Sequence, residues 1–219
     1  MKLLVFDTET TGLPAGRNLS VTNVDKWPHI IQLSYILYDT EKNKTCSCVD
    51  DIIKIADDVH ISAKSIEMHG ITRSTSIRKG ISIADALNNF NNVLQQADWA
   101  IAHNISFDKQ MIMVESIRLG IEQHFSYGNG YGIKEYCTMR NSVNVCKIEK
   151  ESETGNIYYK FPTLTELHNH LFNFTPNNTH DSMSDVLICL RCYYLLVYKE
   201  DVVTKGCGII RKLYNMYCT

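Results

Sequence analysis

The hydrophobic positions of this chain fall into two kinds of pattern, short unbroken apolar runs and longer stretches with helical spacing. Such a mixture predicts an α/β chain. The first run is Leu3, Leu4, Val5 and Phe6. Rich in strand formers and stopped by Gly-Leu-Pro, it reads as a strand buried on both faces. A polar loop follows over 14–28. Residues 30–38 predict a second strand, and residues 45–55 its antiparallel partner across the turn 41–44. Ser62 is a good N-cap for a short helix that Gly70 ends. Ser82, with Asp85 three residues on, predicts a capping box. The helix it opens carries Ile83, Leu87, Phe90 and Leu94 on one face. Residues 99–103 predict another core strand, followed at once by a helix over 106–119 with Phe107, Met111, Val114 and Ile117 facing inward. Residues 126–132 read as a glycine-rich loop, and 149–160 as a charged, exposed excursion. Thr163 and Glu166 form a second capping box ahead of Leu164, Leu167 and Leu171. After a break at 176–179, the run VLICLRCYYLLVY predicts a long buried helix interrupted only by Arg191. The tail from 201 to 219 has room for one more short helix.

Composition narrows this picture. With 219 residues, 44% hydrophobic and 21% charged, the chain has enough material for one globular domain over 1–200 and a tail packed on it. A formal net charge of -2 excludes a whole-protein basic field, so any nucleic-acid contact is a local patch. The eight cysteines stand in a chain whose N-terminus reads as a core strand and not a signal peptide. They are expected to be free thiols in a reducing, intracellular compartment. No apolar run approaches the ~20 residues of a membrane span, so no membrane partner is expected. The pair Cys189 and Cys192 lies inside the buried helix and has no second pair, which argues against zinc.

The candidate chemistry begins where the first strand ends. Asp7 and Glu9 are two residues apart, so on a strand they leave the sheet on the same side. Two carboxylates there repel unless a cation lies between them. Hard oxygen ligands suit Mg²⁺ or Mn²⁺. Thr10, Thr11 and Gly12 then give a tight polar turn that another backbone can approach closely. Two more acidic residues stand at the edges of apolar elements: Asp108 in the first turn of a helix, and Asp185 at the start of the long buried one. Asp181 is an alternative to Asp185, because the two share a helix face. His180 lies on the loop just before that helix and can reach over the same site.

Three motifs stand in order: DTETTG at 7–12, HNxxFD at 103–108 and HxxxxD at 180–185. Together they resemble the DEDDh branch of the DnaQ-like 3′–5′ exonucleases, to which the proofreading epsilon subunits of bacterial replicative polymerases belong. The segments His69-Gly70-Ile71-Thr72 and Cys137-Thr138-Met139 resemble further family segments. Ser182 departs from the family, which more commonly has Ala there, and so does the 149–160 excursion. The tyrosine branch would need Tyr at 181, which is Asp here.

The resemblance implies an α/β ribonuclease H-like fold, a mixed sheet of about five strands flanked by helices. It implies two Mg²⁺ or Mn²⁺ ions, with Asp7, Glu9 and Asp185 on one, and Asp7 shared with a second near Asp108. His180 would be the general base, since a histidine ordinarily titrates near pH 6.5. The backbone of Thr10, Thr11 and Gly12 would meet the terminal nucleotide, Leu13 would wedge against its base, and Asn104 and Phe107 would line its pocket. Phe107 is equally well read as core, and His69 better as structural than as catalytic. The expected reaction is release of nucleoside 5′-monophosphates from the 3′ ends of single-stranded or frayed DNA. Rival readings are the same chemistry on RNA 3′ ends, and a binding or proofreading subunit with a DNA polymerase as partner.

Overall fold

The computed structural model describes residues 1–125, 132–177 and 179–219. A glycine-rich loop expected over 126–132 therefore falls, save for Gly132, outside the described residues.

Five strands form one mixed sheet. They are β1 (Lys2–Thr10), β2 (Ile30–Asp39), β3 (Lys44–Ile52), β4 (Trp99–Ala102) and β5 (Lys134–Cys137), in the order β3-β2-β1-β4-β5. β1 pairs antiparallel with β2 and parallel with β4, and β4 pairs parallel with β5. The predicted α/β architecture, a five-stranded mixed sheet flanked by helices, is what the chain adopts. β1 runs on past its apolar core to Thr10, which carries Asp7 and Glu9 on the strand itself.

Alternation along β1 divides the core into two layers. Leu4 and Phe6 face one side, against α3 (Ile83–Leu94) and α4 (Ile105–Leu119). Phe6 meets Phe90 and Phe125 there at ring-centroid distances of 5.3 and 5.8 Å. Leu3 and Val5 face the other side, against α7 (Leu164–Phe172), α8 (Ser182–Tyr198), α9 (Val202–Lys205) and α10 (Gly208–Cys218). Each fully buried Leu, Val or Phe side chain contributes about 1.5–3 kcal/mol by leaving water. Asp7 and Glu9 continue the Leu3–Val5 row toward α8.

Several elements depart from the sequence pattern. α1 (Ala63–His69) is capped by Ser62 and ends at Gly70, but a further helix, α2 (Arg73–Lys79), follows it at once. Ser82 caps α3 by accepting from the Ala84 N–H and forms no box with Asp85, whereas Thr163 and Glu166 form the full reciprocal box. On α4, Ile117 is solvent-exposed, and Glu115 turns inward instead, accepting from the Ile30 N–H at 3.0 Å and pairing with Arg118 at 3.0 Å. Arg191 does not break α8. It is buried over the Phe172 ring and bonded to Asp201 at 2.7 Å. The 149–160 excursion is a two-stranded hairpin, β6 (Glu149–Glu151) and β7 (Ile157–Tyr159), with every residue of both strands exposed. It is joined to β5 through α5 (Thr138–Asn141) and α6 (Val143–Cys146). All eight cysteines are free thiols, and among the described residues no helix is long and apolar enough to cross a membrane.

Candidate active site

β1 and the first turn of α8 bring three carboxylates together. Asp7, Glu9 and Asp185 each offer an oxygen, and these oxygens all lie within 4.8 Å of one another. Asp185 reaches them because Asp181 caps α8, accepting from the Ser184 N–H at 3.1 Å, which sets Asp185 one turn into the helix. Of the two acidic residues that the sequence left open, Asp185 joins the cluster and Asp181 serves the cap. Ser182 donates to the Asp7 carbonyl oxygen at 3.0 Å and so ties α8 to β1.

The cluster is strongly biased against holding three negative charges by itself. At such separations each like-charge pair costs on the order of 3 kcal/mol. Burial, then repulsion from Asp7, Asp185 and Asp108, pushes Glu9 up to about 9. Burial lifts Asp7 to about 6, with the Ser182 hydroxyl opposing it and the Asp181 charge adding to it. Burial and the Asp7 charge raise Asp185 well above the usual carboxylate range. One oxygen of Asp185 is buried with no hydrogen-bond partner, while the His180 backbone N–H donates to the same carboxylate. An orphaned carboxylate oxygen among hard, anionic donors fits a divalent cation.

Asp108 stands apart from the three. It arrives from α4, on the opposite face of the sheet, and its Oδ1 accepts from both the Thr8 N–H at 3.0 Å and the Thr8 hydroxyl at 2.8 Å. Burial and the Asp7 charge still hold its proton affinity well above the ordinary range, so the two carboxylates sense each other.

His180 lies on the rim with a left-handed backbone, φ 76°. It lines a 420 Å³ cleft together with His69, Asp181 and Tyr217. The C-terminal helix anchors both the loop before His180 and the start of α8: the Asn177 N–H donates to the Cys218 carbonyl at 3.1 Å, and the Ser184 hydroxyl to the Tyr217 carbonyl at 3.2 Å. Nothing in the sequence pattern marked these anchors, because their acceptors are backbone carbonyls.

On the other flank, Thr10, Gly12, Leu13 and Phe107 line a 570 Å³ cleft that opens beside Glu9. Leu13 is 82% exposed at its mouth. Phe107 both lines the cleft and packs on the core. Two residues expected around a terminal nucleotide do not line this cleft. Thr11 is buried, its hydroxyl accepting from the His29 N–H at 3.0 Å and its carbonyl from the Ser62 N–H at 2.9 Å. Asn104 is the N-cap of α4, in the left-handed region at φ 70°. His69 is held by the backbone: its Nδ1 accepts from the Ile71 N–H, which leaves Nε2 to donate to the Thr10 carbonyl at 3.3 Å.

A family model described as an exonuclease, RNase_T, matches residues 4–193. No curated protein matches the sequence significantly. Among solved structures, Escherichia coli exonuclease I in complex with a dA16 oligonucleotide superposes with a TM-score of 0.64 at 16% identity, over 98% of this chain and 42% of that one. The complex of the same enzyme with a dT13 oligonucleotide gives 0.66 at 16% identity, over 92% and 41%. A structure of apo exonuclease I gives 0.63 at 16%, over 98% and 44%. These likenesses establish a shared fold, and this chain spans less than half the length of those it matches.

Proposed function

The chain belongs to the RNase_T exonuclease family, and from that premise we propose that it is a metal-dependent 3′–5′ exonuclease that removes nucleoside 5′-monophosphates from the 3′ end of a single strand. The observation that carries this reading is the convergence of Asp7, Glu9 and Asp185 around a buried, unpartnered carboxylate oxygen. In this reading the three would hold one Mg²⁺ or Mn²⁺ ion, and Asp7 and Asp108 would serve a second. When bound, two such ions lower the pKa of water and stabilise the leaving oxyanion.

The remaining work falls to the chain's own side chains. His180, on the rim beside Asp185, accepts the proton of the attacking water. Thr10, Gly12 and Phe107, which line the cleft beside Glu9, hold the terminal nucleotide there, and the exposed Leu13 packs against its base. DNA is the favoured strand, because the similar exonuclease I structures hold dA16 and dT13 oligonucleotides. A direct test is hydrolysis of matched single-stranded DNA and RNA by the wild-type protein and by Asp7→Ala and Asp185→Ala. Loss of cleavage in both variants, with their fold intact by circular dichroism, supports the assignment. Retained cleavage in either sinks it, and the faster substrate decides between DNA and RNA.

A further inference from the structure

The β6–β7 hairpin presents an unusual surface. Ile157 is 70% exposed, Tyr158 45%, Tyr159 44% and Phe161 57%, so three aromatic rings face water within five residues. Rings left exposed together mark an interaction site, because solvating them gives the folded chain nothing. The alternation of the strands sorts the charges between the two faces. Register places Lys150 opposite Tyr158, whereas Glu149 lies opposite Tyr159 and Glu151 opposite Ile157. One face therefore pairs the Tyr158 ring with a cation, and the other sets Tyr159 and Ile157 against two glutamates. Among the described residues Lys150 has no ion-pair partner.

The hairpin is rooted at the C-terminal end of β4. The Pro162 carbonyl lies 3.1 Å from His103 Nε2, and His103 follows β4 directly, one residue before the α4 N-cap and five before Asp108. Tyr158 is four residues from Pro162, at most about 14 Å of chain. Parallel sheets place ligands at this end, beyond the C-terminal ends of their strands. A ring beside an unpaired lysine matches what a nucleic-acid strand offers, a base to stack and a phosphate to neutralise.

We propose that the Lys150–Tyr158 face of the hairpin is a stacking platform for the single strand upstream of the scissile bond, a binding subsite separate from the terminal-nucleotide cleft. This rests on the exonuclease reading, so the test separates the two. Initial rates are measured with Mn²⁺ on a single strand of about 20 nucleotides and on the p-nitrophenyl ester of thymidine 5′-monophosphate, which has no upstream strand. For Tyr158→Ala the ratio of kcat/KM on the strand to kcat/KM on the ester falls roughly ten-fold from the wild-type ratio, the effect of one lost stacked base. Tyr158→Phe keeps the wild-type ratio, and Lys150→Gln lowers it and flattens its dependence on salt. Both side chains are exposed, so thermal melts confirm that the variants fold. A wild-type ratio in Tyr158→Ala overturns the inference and leaves this face to a protein partner. Wild-type protein that cleaves neither substrate overturns the exonuclease reading, and this inference with it.

Discussion

Asp108 binds Thr8 through a single oxygen, which accepts from the Thr8 backbone at 3.0 Å and from its hydroxyl at 2.8 Å. Thr8 lies between Asp7 and Glu9, pointing to the other face of the sheet. The strand that presents two carboxylates to α8 thus uses the intervening residue to hold a third from α4. Thr8→Val removes the hydroxyl donor and leaves the backbone bond. It is expected to cost about 1 kcal/mol, a melting shift of roughly 2–4 °C for a chain of this size. Activity should fall less than in Asp108→Ala, which removes the charge itself. Calorimetry and single-turnover rates check both statements.

Glu9 links pH to stability in the metal-free protein. Its proton affinity is raised from the ordinary 4.5 to about 9 in the folded chain. Between those values the folded state binds more protons than the unfolded one, so stability falls as pH rises through that window. Asp7, raised from 3.8 to about 6, acts in the same direction over a lower range. With chelator present, the wild-type melting temperature should therefore fall between pH 5 and pH 9. Glu9→Gln should melt higher than wild type at pH 8 and show a shallower slope. Adding Mn²⁺ at pH 8 should raise the wild-type melting temperature and move the variant much less. Equal slopes in the two proteins would contradict the cluster's role.

The loop that carries His180 owes its position to the C-terminal helix. Asn177 is bonded through its N–H to Cys218 and through its side chain to Thr219 at 2.6 Å. His180→Ala should lower kcat by about 10²–10⁴, the usual size of general-base catalysis, and recover part of the loss as hydroxide concentration rises. Asn177→Ala should lower kcat with little change in KM, because it loosens the base and leaves the terminal-nucleotide cleft alone. A pure KM effect in Asn177→Ala would assign the anchor to substrate binding instead.

What the sequence could reveal depended on how each element meets solvent. β1 and β2 are buried on both faces, so β1 opens on an unbroken apolar run and β2 is apolar but for the buried Gln32 and Ser34 up to Asp39. β5, Lys-Glu-Tyr-Cys, is a polar edge strand held by its ladder to β4, and its composition hides it. α2 is a surface helix with one buried residue, Ser76, and carries no apolar stripe. Glu115 and Arg191 interrupt the apolar helical pattern because their charges find partners inside the fold, Glu115 in the Ile30 N–H and Arg118, and Arg191 in Asp201. At the site, the motif spacing placed the Asp7, Glu9 and Asp185 cluster within reach. The Thr8–Asp108 bond and the Asn177–Cys218 anchor were invisible, since each depends on the relative placement of two layers and not on local spacing.

The central claim is that this constellation shortens nucleic acid from the 3′ end with a divalent ion. The measurement that tests it most directly follows a 5′-labelled single-stranded DNA over time with Mn²⁺, with Mg²⁺ and with chelator. The account predicts a ladder of products shortening one nucleotide at a time, abolished by chelator and absent in Asp185→Ala. A folded protein that leaves the strand intact with both metals, or that shortens it equally in chelator, would contradict it.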